Sequence, residues 1–209
     1  MKRIAIRRGS VIALVAAVIG VALLSSGPSI AAPSAVVASM KTPAGQKLGT
    51  VIFSTTEDGK VMVQAIAKGL TPGFHGFHVH GAGICDGAAT DAAGNPSPFL
   101  TAGGHYNPTA QIHGSHAGDM PPLYVAGDGT AQLRFVTDRF TVESLLDADG
   151  SAVIMHAGPD NLAHIPATTA TGGERYHSHV DLVFGPDTAT RGTGDAGSRF
   201  SCGVVSSAP

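Results

Sequence analysis

The feature that most limits how this chain can fold is a repeated alternation of apolar and polar residues over short runs. Period-two alternation is typical of half-buried β-strands. The turn signals Glu57-Asp58-Gly59 and Gly127-Asp128-Gly129 separate neighbouring runs. With 28 glycines and 13 prolines among 209 residues, long helices are disfavoured. The chain is therefore predicted to be all-β, with candidate strands at Ala35–Met40, Lys47–Thr55, Lys60–Ala67, Gly76–His80, Leu123–Ala126, Ala131–Thr137, Ser151–His156 and Arg199–Val205.

Two long segments, Ala82–Pro122 and Ala157–Ser198, mostly lack strand character and are rich in Gly, Pro, Asp and Thr. Loops of this length within a compact domain usually carry function. They contain or border most of the ten histidines, a number that is unusual beside thirteen Lys and Arg and that indicates metal binding. Thr141–Asp147 is expected to form a brief helical turn or a strand-like connection.

The N-terminal segment has the organisation of a secretory signal peptide. Lys2, Arg3, Arg7 and Arg8 precede an uncharged run from 11 to 24, and small residues follow it. A membrane anchor is the alternative, but this run is shorter than the roughly 18 apolar residues that a spanning helix needs. We therefore expect a signal peptide at 1–32, a mature domain at 33–209, and an exported protein that is periplasmic, in the cell envelope or secreted, without a stable membrane anchor.

Removal of that segment changes the charge of the protein. Residues 1–32 contain four of the thirteen Lys and Arg and none of the fifteen Asp and Glu, so residues 33–209 carry nine cations against fifteen anions, a net charge of −6. Nucleic-acid binding needs a clustered basic surface, so no nucleic-acid partner is expected.

The two cysteines, Cys85 and Cys202, both belong to the predicted mature domain. An exported compartment lets them oxidise, which favours a disulfide over two buried free thiols. A disulfide between these two cysteines would close a loop of more than a hundred residues. In the chain-entropy model it would stabilise the folded state by at most about 4 to 5 kcal/mol.

The strongest constellation is the segment Gly76-Phe77-His78-Val79-His80. In a strand, residues i and i+2 point to the same face, so His78 and His80 present two imidazoles about 7 Å apart along the chain. Either histidine alone fits an ordinary core or surface position. The pair, joined by His156 at the end of the apolar run Val153-Ile154-Met155, favours a bound metal ion.

A second constellation is His105-Tyr106-Asn107-Pro108, followed by His113, His116 and Asp119 with two residues between successive members. Three imidazoles and a carboxylate suit tetrahedral zinc. A polar turn with incidental histidines is the alternative, which four donors within fifteen residues argue against.

These segments, with Gly103-Gly104 before His105 and Gly194-Asp195-Ala196-Gly197-Ser198-Arg199 before Cys202, resemble copper/zinc superoxide dismutase in its exported bacterial form. The resemblance extends over about residues 35 to 206. It implies an eight-stranded antiparallel Greek-key β-barrel or sandwich with two long functional loops.

The resemblance also implies roles for individual residues. His78, His80, His105 and His156 match copper ligands, and His105, which bridges the two metals, joins His113, His116 and Asp119 as zinc ligands. Asp160 resembles the carboxylate that links a copper histidine to a zinc histidine, Cys85 and Cys202 match the family disulfide, and Arg199 matches the arginine beside the open copper position.

The implied activity is superoxide dismutation, an oxidoreductase reaction. One superoxide reduces Cu(II) to Cu(I) and leaves as oxygen, and a second reoxidises the copper and leaves as hydrogen peroxide. Copper suits imidazole ligands, zinc is structural, His105 exchanges a proton, and Arg199 draws and orients the anion. The oligomeric state, monomer or homodimer, stays open.

Two departures from the family pattern leave alternatives. Only Gly114 and Ser115 separate His113 from His116, whereas the family commonly has a longer loop, so a copper-only enzyme without zinc stays open. The segment before Thr193 lacks the acidic pair and lysine of eukaryotic relatives, so Arg175 and Arg191 are further candidates for guiding superoxide.

A non-catalytic copper-binding or buffering module is the competing function. It needs the copper histidines but neither Arg199 nor a bridging His105, so the enzyme is favoured. Ordinary roles are expected for the other histidines: packing for His75, a loop position for His164, and an exposed pair rather than an accessory metal site for His177 and His179.

Overall fold

Alternating burial runs through the strands of the computed structural model, which describes residues 35–208. In β1 every second side chain is buried, from Val36 to Met40. The signal peptide expected at 1–32 lies outside the described residues. The strands are β1 Ala35–Lys41, β2 Lys47–Thr55, β3 Val61–Lys68, β4 Gly73–His75, β5 Phe77–His80, β6 Leu123–Val125, β7 Thr130–Thr137, β8 Ala152–His156, β9 His177–Ser178, β10 Val183–Phe184 and β11 Arg199–Ser207.

Nine of these strands form one antiparallel sheet in the order β4-β6-β7-β3-β2-β1-β11-β8-β5. The pairs β3–β7 and β1–β11 join strands that are distant in sequence, as in a Greek key. Because β4 and β5 are consecutive in the chain yet form the two edges of the sheet, the sheet curls into a nearly closed barrel. The predicted all-β Greek-key architecture is confirmed.

The strand count differs slightly from the predicted eight because Gly76 interrupts one strand. Gly73–His75 pairs with β6, and Phe77–His80 pairs with β8, so the two halves belong to opposite edges. Counted as a single interrupted strand, 73–80 brings the barrel back to eight. A Cβ at Gly76 would lie 2.5 Å from Cβ of Ala196, which explains why glycine occupies the crossing point.

The barrel interior is a single apolar core. Strands β1, β2 and β3 contribute alternate side chains such as Val36, Phe53 and Val63, and β5 adds Phe77 and Val79. Strand β8 is buried on both faces, because a long loop covers its outer side. There Ala152 and Ile154 pack with Phe99, Ala102 and Cys202 in a second, smaller cluster.

The disulfide between Cys85 and Cys202 is present, with a Cα–Cα distance of 5.7 Å across a sequence separation of 117 residues. It ties the first long loop to β11, as the resemblance implied. Because it lies beside the smaller apolar cluster, the covalent tie and apolar burial hold the same loop in place.

The two predicted loops contain little regular structure. A 3-10 turn at Leu100–Ala102 lies in the first, and the β9–β10 hairpin and helix α1, Thr188–Thr193, lie in the second. Another 3-10 turn at Glu143–Leu146 agrees with the brief turn expected near Thr141. Within residues 35–208, no helix is long and apolar enough to cross a membrane.

Candidate metal centre

The site begins with the alternation of β5. Phe77 and Val79 point into the barrel core, so His78 and His80 project from the opposite face. That face is covered by the long loops, which leave the two imidazole residues 0% and 1% exposed. Buried imidazoles on the outside of a barrel require polar partners of their own.

Two further histidines reach the same place from other elements. His156 ends β8, the neighbour of β5, and His105 approaches from the first long loop through a bridge to His80. One ring nitrogen from each of the four lies within 4.8 Å of the others. We call His78, His80, His105 and His156 the four-histidine cluster.

In three members of this cluster one ring nitrogen is hydrogen-bonded to an acceptor. His80 Nδ1 lies 2.9 Å from the Gly103 carbonyl oxygen, and His156 Nδ1 lies 3.0 Å from that of Gly197. His78 Nε2 lies 2.6 Å from Asp160 Oδ2. Since these acceptors cannot donate, each of these nitrogens carries the hydrogen, and the opposite nitrogen presents its lone pair.

Within residues 35–208, the opposite nitrogens of these three imidazoles and Nε2 of His105 have no hydrogen-bond partner although they are fully buried. They are His78 Nδ1, His80 Nε2, His105 Nε2 and His156 Nε2. Four converging lone pairs without a donor are unfavourable unless a cation takes them up. The cluster therefore fits a metal ion with imidazole preference, of which copper binds most tightly.

A second cluster adjoins the first on the other side of His105. Asp119 Oδ1 lies 2.8 Å from His105 Nδ1, 3.2 Å from His113 Nδ1 and 3.3 Å from His116 Nδ1. A tetrahedral shell with metal–ligand distances of about 2.0–2.1 Å has donors about 3.3 Å apart. The spacing of this second cluster fits zinc.

His78 also has a donor atom within 4.8 Å of those of His105, His113 and Asp119. Its Nε2 is hydrogen-bonded to Asp160, however, and its Nδ1 belongs to the four-histidine cluster. His116 Nδ1 lies 3.3 Å from both His105 Nδ1 and Asp119 Oδ1. We therefore assign His116 rather than His78 to the second cluster.

Asp160 connects the two clusters. Its Oδ2 accepts a hydrogen bond from His78 Nε2. Its Oδ1 accepts a hydrogen bond from His113 Nε2, which lies 2.8 Å away. Gly194, in the left-handed conformation that ends α1, packs its backbone directly over this contact, and a Cβ there would collide with both Asp160 and His113. One carboxylate thus orients one imidazole in each cluster.

Burial controls the protonation of the four-histidine cluster in the metal-free protein. Desolvation lowers the pKa of His78 to about 4, despite the hydrogen bond to Asp160. It lowers the pKa of His156 to about 3 and that of His80 well below its usual range, with repulsion from neighbouring cationic groups adding to the effect. These imidazoles are therefore neutral at physiological pH, the form that binds metal.

In the second cluster, burial likewise lowers the pKa of His116, but His113 and the carboxylates beside it differ. Burial disfavours the charged form of His113, but the neighbouring carboxylates of Asp119 and Asp160 outweigh it and raise the pKa to about 9. Burial also opposes ionisation of the two aspartates, yet their histidine partners hold the pKa of both carboxyls well below the usual range. Ionised carboxylates at this site would stabilise a divalent cation in place of the proton on His113.

Arg199 lies beside the four-histidine cluster at the start of β11, paired with His156 of β8. Its Nη1 donates to the carbonyl oxygen of Phe99 and its Nη2 to that of Gly103, at 2.6 Å. Partial burial lowers the pKa of this guanidinium. Arg199 thus presents a fixed cation beside the imidazoles.

The structure also locates the residues that were expected to have other roles. His75 is 3% exposed and lies outside both clusters, with its ring nitrogens near the carbonyl oxygens of His156 and Thr71. His164 is exposed, His177 pairs with Glu174 at 2.8 Å, and the rings of His177 and His179 are 5.2 Å apart.

Arg191 and Arg175, the two further candidates for guiding superoxide, have contacts unlike those of Arg199. The backbone carbonyl of Arg191 accepts from the amide of His113, and the guanidinium of Arg175 lies 5.6 Å from the ring centre of Tyr176. Sequence reasoning missed the Gly103 and Gly197 carbonyls and Arg139, which contacts the second cluster's backbone. No spacing pattern links these positions to the histidines.

The fold and the site define a β-barrel metalloprotein with two adjoining metal-binding clusters that share one histidine. The family model for copper/zinc superoxide dismutase matches residues 47–205. The chain belongs to this family.

Individual relatives agree with that assignment. The chain is 39% identical over 186 residues to the Cu-Zn superoxide dismutase of Mycolicibacterium paratuberculosis, covering 86% of this chain and 79% of that one. It is 42% identical over 172 residues to the Mycobacterium bovis protein of the same name, and the match covers 82% of this chain and 65% of that one. The solved structure of Cu/Zn superoxide dismutase from Brucella abortus superposes with a TM-score of 0.60 at 27% identity, covering 82% and 99%.

Proposed function

We propose that the protein is a copper/zinc superoxide dismutase that converts superoxide to oxygen and hydrogen peroxide. The observation that carries the proposal is the set of four buried, unpartnered imidazole nitrogens beside a fixed guanidinium. Family membership supports the same reaction. The proposed copper ligands are His78, His80, His105 and His156, and the proposed zinc ligands are His105, His113, His116 and Asp119.

Bound copper would supply one-electron chemistry by alternating between Cu(II) and Cu(I), while zinc would hold its ligands in place. The residues of the chain do the rest. Arg199 attracts the superoxide anion and orients it, since its position is fixed by two carbonyl contacts. Asp160, Gly103 and Gly197 keep the hydrogen on the outer nitrogen of three imidazoles, so that the inner nitrogens stay free.

His105 is the proposed proton carrier. Its Nε2 faces the other three histidines without a hydrogen-bond partner, and its Nδ1 faces Asp119. A proton taken up at Nε2 can therefore be held and returned to the reduced substrate while Nδ1 keeps the ring in place. Such exchange balances the reaction, in which two superoxide anions and two protons give one oxygen and one hydrogen peroxide.

We also propose that the chain is exported after removal of residues 1–32, leaving the domain 33–209. The basic and then apolar organisation of the N-terminal segment supports this. A disulfide between Cys85 and Cys202 is consistent with an oxidising compartment.

The test is metal analysis of the purified mature protein combined with an assay of superoxide consumption. We expect one copper and one zinc per chain together with copper-dependent activity. Bound copper without turnover would overturn the enzyme in favour of copper buffering. Activity with copper but with no zinc after loading would establish the copper-only variant and remove the second metal from the proposal.

A further inference from the structure

The short turn between His113 and His116 is fixed at its amide groups by Asp119. Oδ2 of this carboxylate accepts from the amide of Gly114 at 2.7 Å and from that of His116 at 2.9 Å. The other oxygen, Oδ1, faces the three imidazoles of the second cluster. Asp119 therefore holds the backbone of the turn and lies among its ring nitrogens.

The carbonyl groups of the same turn are held by Arg139, which follows β7 in the chain. Nη1 donates to Gly114 O at 3.2 Å and to His116 O at 3.0 Å, and Nη2 donates to Gly114 O at 3.3 Å. The backbone of the turn at Gly114 and His116 is thus held between the Asp119 carboxylate, which binds its amides, and the Arg139 guanidinium, which binds its carbonyls. The planar, forked guanidinium suits two neighbouring acceptors, a geometry that an ammonium group does not offer.

The turn has little freedom to compensate for a lost contact. Gly114 has a positive φ of 84°, and a Cβ there would lie 2.7 Å from the carbonyl oxygen of Leu162. With only Gly114 and Ser115 between the two imidazoles, the turn has few side chains of its own to hold it. Besides the local backbone hydrogen bonds, Asp119 and Arg139 supply the side-chain hydrogen bonds to the peptide groups of this turn.

We propose that Arg139 is a positioning residue for zinc: it holds the turn Gly114–His116 so that His113 and His116 meet at one ion. The inference rests on the proposed zinc ligands. Among the described residues, the Arg139 side chain hydrogen-bonds only to backbone carbonyls of the turn, so it acts through the ligands and not on superoxide. The proposed copper ligands lie on β5, on β8 and, for His105, in the first long loop, so copper would bind without Arg139.

The experiment compares Arg139→Ala and Arg139→Lys with the wild type. Arg134→Ala is the matched control, because Arg134 is an exposed arginine on β7 whose side chain, within the described residues, hydrogen-bonds only to the sulfur of Met62. Each protein is loaded with copper and zinc, and zinc release into excess chelator is followed with time. We expect release to be about 10- to 100-fold faster in Arg139→Ala, an incomplete rescue in Arg139→Lys, and wild-type release in Arg134→Ala.

A second readout separates positioning from a general loss of stability. Cobalt(II) replaces zinc, and its visible spectrum reports coordination geometry. We expect Arg139→Ala to shift or weaken the tetrahedral bands while copper content stays at the wild-type level. Equal zinc release and equal cobalt spectra in Arg139→Ala and Arg134→Ala would overturn the positioning role alone, whereas a wild type that takes up neither zinc nor cobalt would overturn the proposed zinc site as well.

Discussion

Arg199 and His80 donate hydrogen bonds to the same acceptor, the carbonyl oxygen of Gly103, at 2.6 Å and 2.9 Å. A loop carbonyl thereby fixes both the cation proposed to attract superoxide and the tautomer of a proposed copper ligand. The two residues come from different strands, β11 and β5. The loop that carries Gly103 is tied to β11 by the disulfide, so substrate guidance and metal binding depend on one covalently anchored segment.

Replacing Arg199 by alanine is expected to lower kcat/KM for superoxide by about 10- to 100-fold at low ionic strength, because a fixed cation beside the site is lost. Copper content should stay near normal, since His80 keeps its contact to Gly103. Arg199→Lys keeps the charge but not both carbonyl contacts, so we expect an intermediate rate. The measurement is superoxide consumption per bound copper at several salt concentrations. An unchanged rate in Arg199→Ala would remove this residue from the mechanism.

Asp160→Asn is expected to weaken both metal sites. Each carboxylate oxygen of Asp160 accepts from a different histidine, His78 or His113, and in asparagine one of these oxygens becomes an NH2 group that faces an imidazole N–H as a second donor. We expect about a 10- to 100-fold loss of metal affinity at one or both clusters, measured as copper and zinc retained after dialysis against a chelator. Asp58→Asn removes an exposed carboxylate paired with Lys60 and serves as the control. Full retention of both metals in Asp160→Asn would contradict the linking role.

Gly76→Ala is expected to destabilise the barrel by about 1 to 3 kcal/mol, because the added methyl group meets Ala196 at the crossing between the two sheet edges. Gly127→Ala is the matched control, since a Cβ at Gly127 meets nothing within 4 Å. Urea unfolding of the two metal-free variants gives the comparison. Equal urea midpoints for the two variants would mean that the structure accommodates the methyl group at Gly76 without loss of stability.

The metal-free protein is expected to be most stable near pH 6.5. His78 and His156 have folded-state pKa values of about 4 and about 3, below the ordinary value of 6.5. The unfolded chain therefore binds more protons than the folded one below pH 6.5. Each group lowers the free energy of unfolding by up to about 1.4 kcal/mol per pH unit as the pH falls toward its folded-state value.

The alkaline side has the opposite sign. His113, with a pKa of about 9, contributes stability that is fully present below pH 6.5 and is lost as the pH rises toward 9. Unfolding of chelator-treated protein at pH 4.5, 6.5 and 8.5 checks both arms. Stability that rises steadily from pH 4.5 to 8.5 would contradict the assigned pKa values.

Several predicted strands agree with the structure to within one or two residues. Lys47–Thr55 has the same bounds in both, because its alternation is uninterrupted and one face is buried in the core. Helix α1 was not expected, since its sequence Thr-Ala-Thr-Arg-Gly-Thr has low helix propensity. It forms with a cap from Asp187, whose side chain accepts from the amide of Thr190, and ends at Gly194 against Asp160.

The sequence by itself determined the strand pattern and the shared face of His78 and His80, because side-chain direction in a strand is a local property with a period of two. The sequence also carries the family resemblance from which we expected the ligand roles. The resemblance likewise implied that Asp160 links the two clusters. Tertiary structure alone decided which nitrogen of each imidazole is free and that Arg139 and the Gly103 carbonyl support the clusters. The contacts of Arg139 and Gly103 join residues far apart in the chain through backbone carbonyls. Every residue has such a carbonyl, so the sequence does not identify which one accepts.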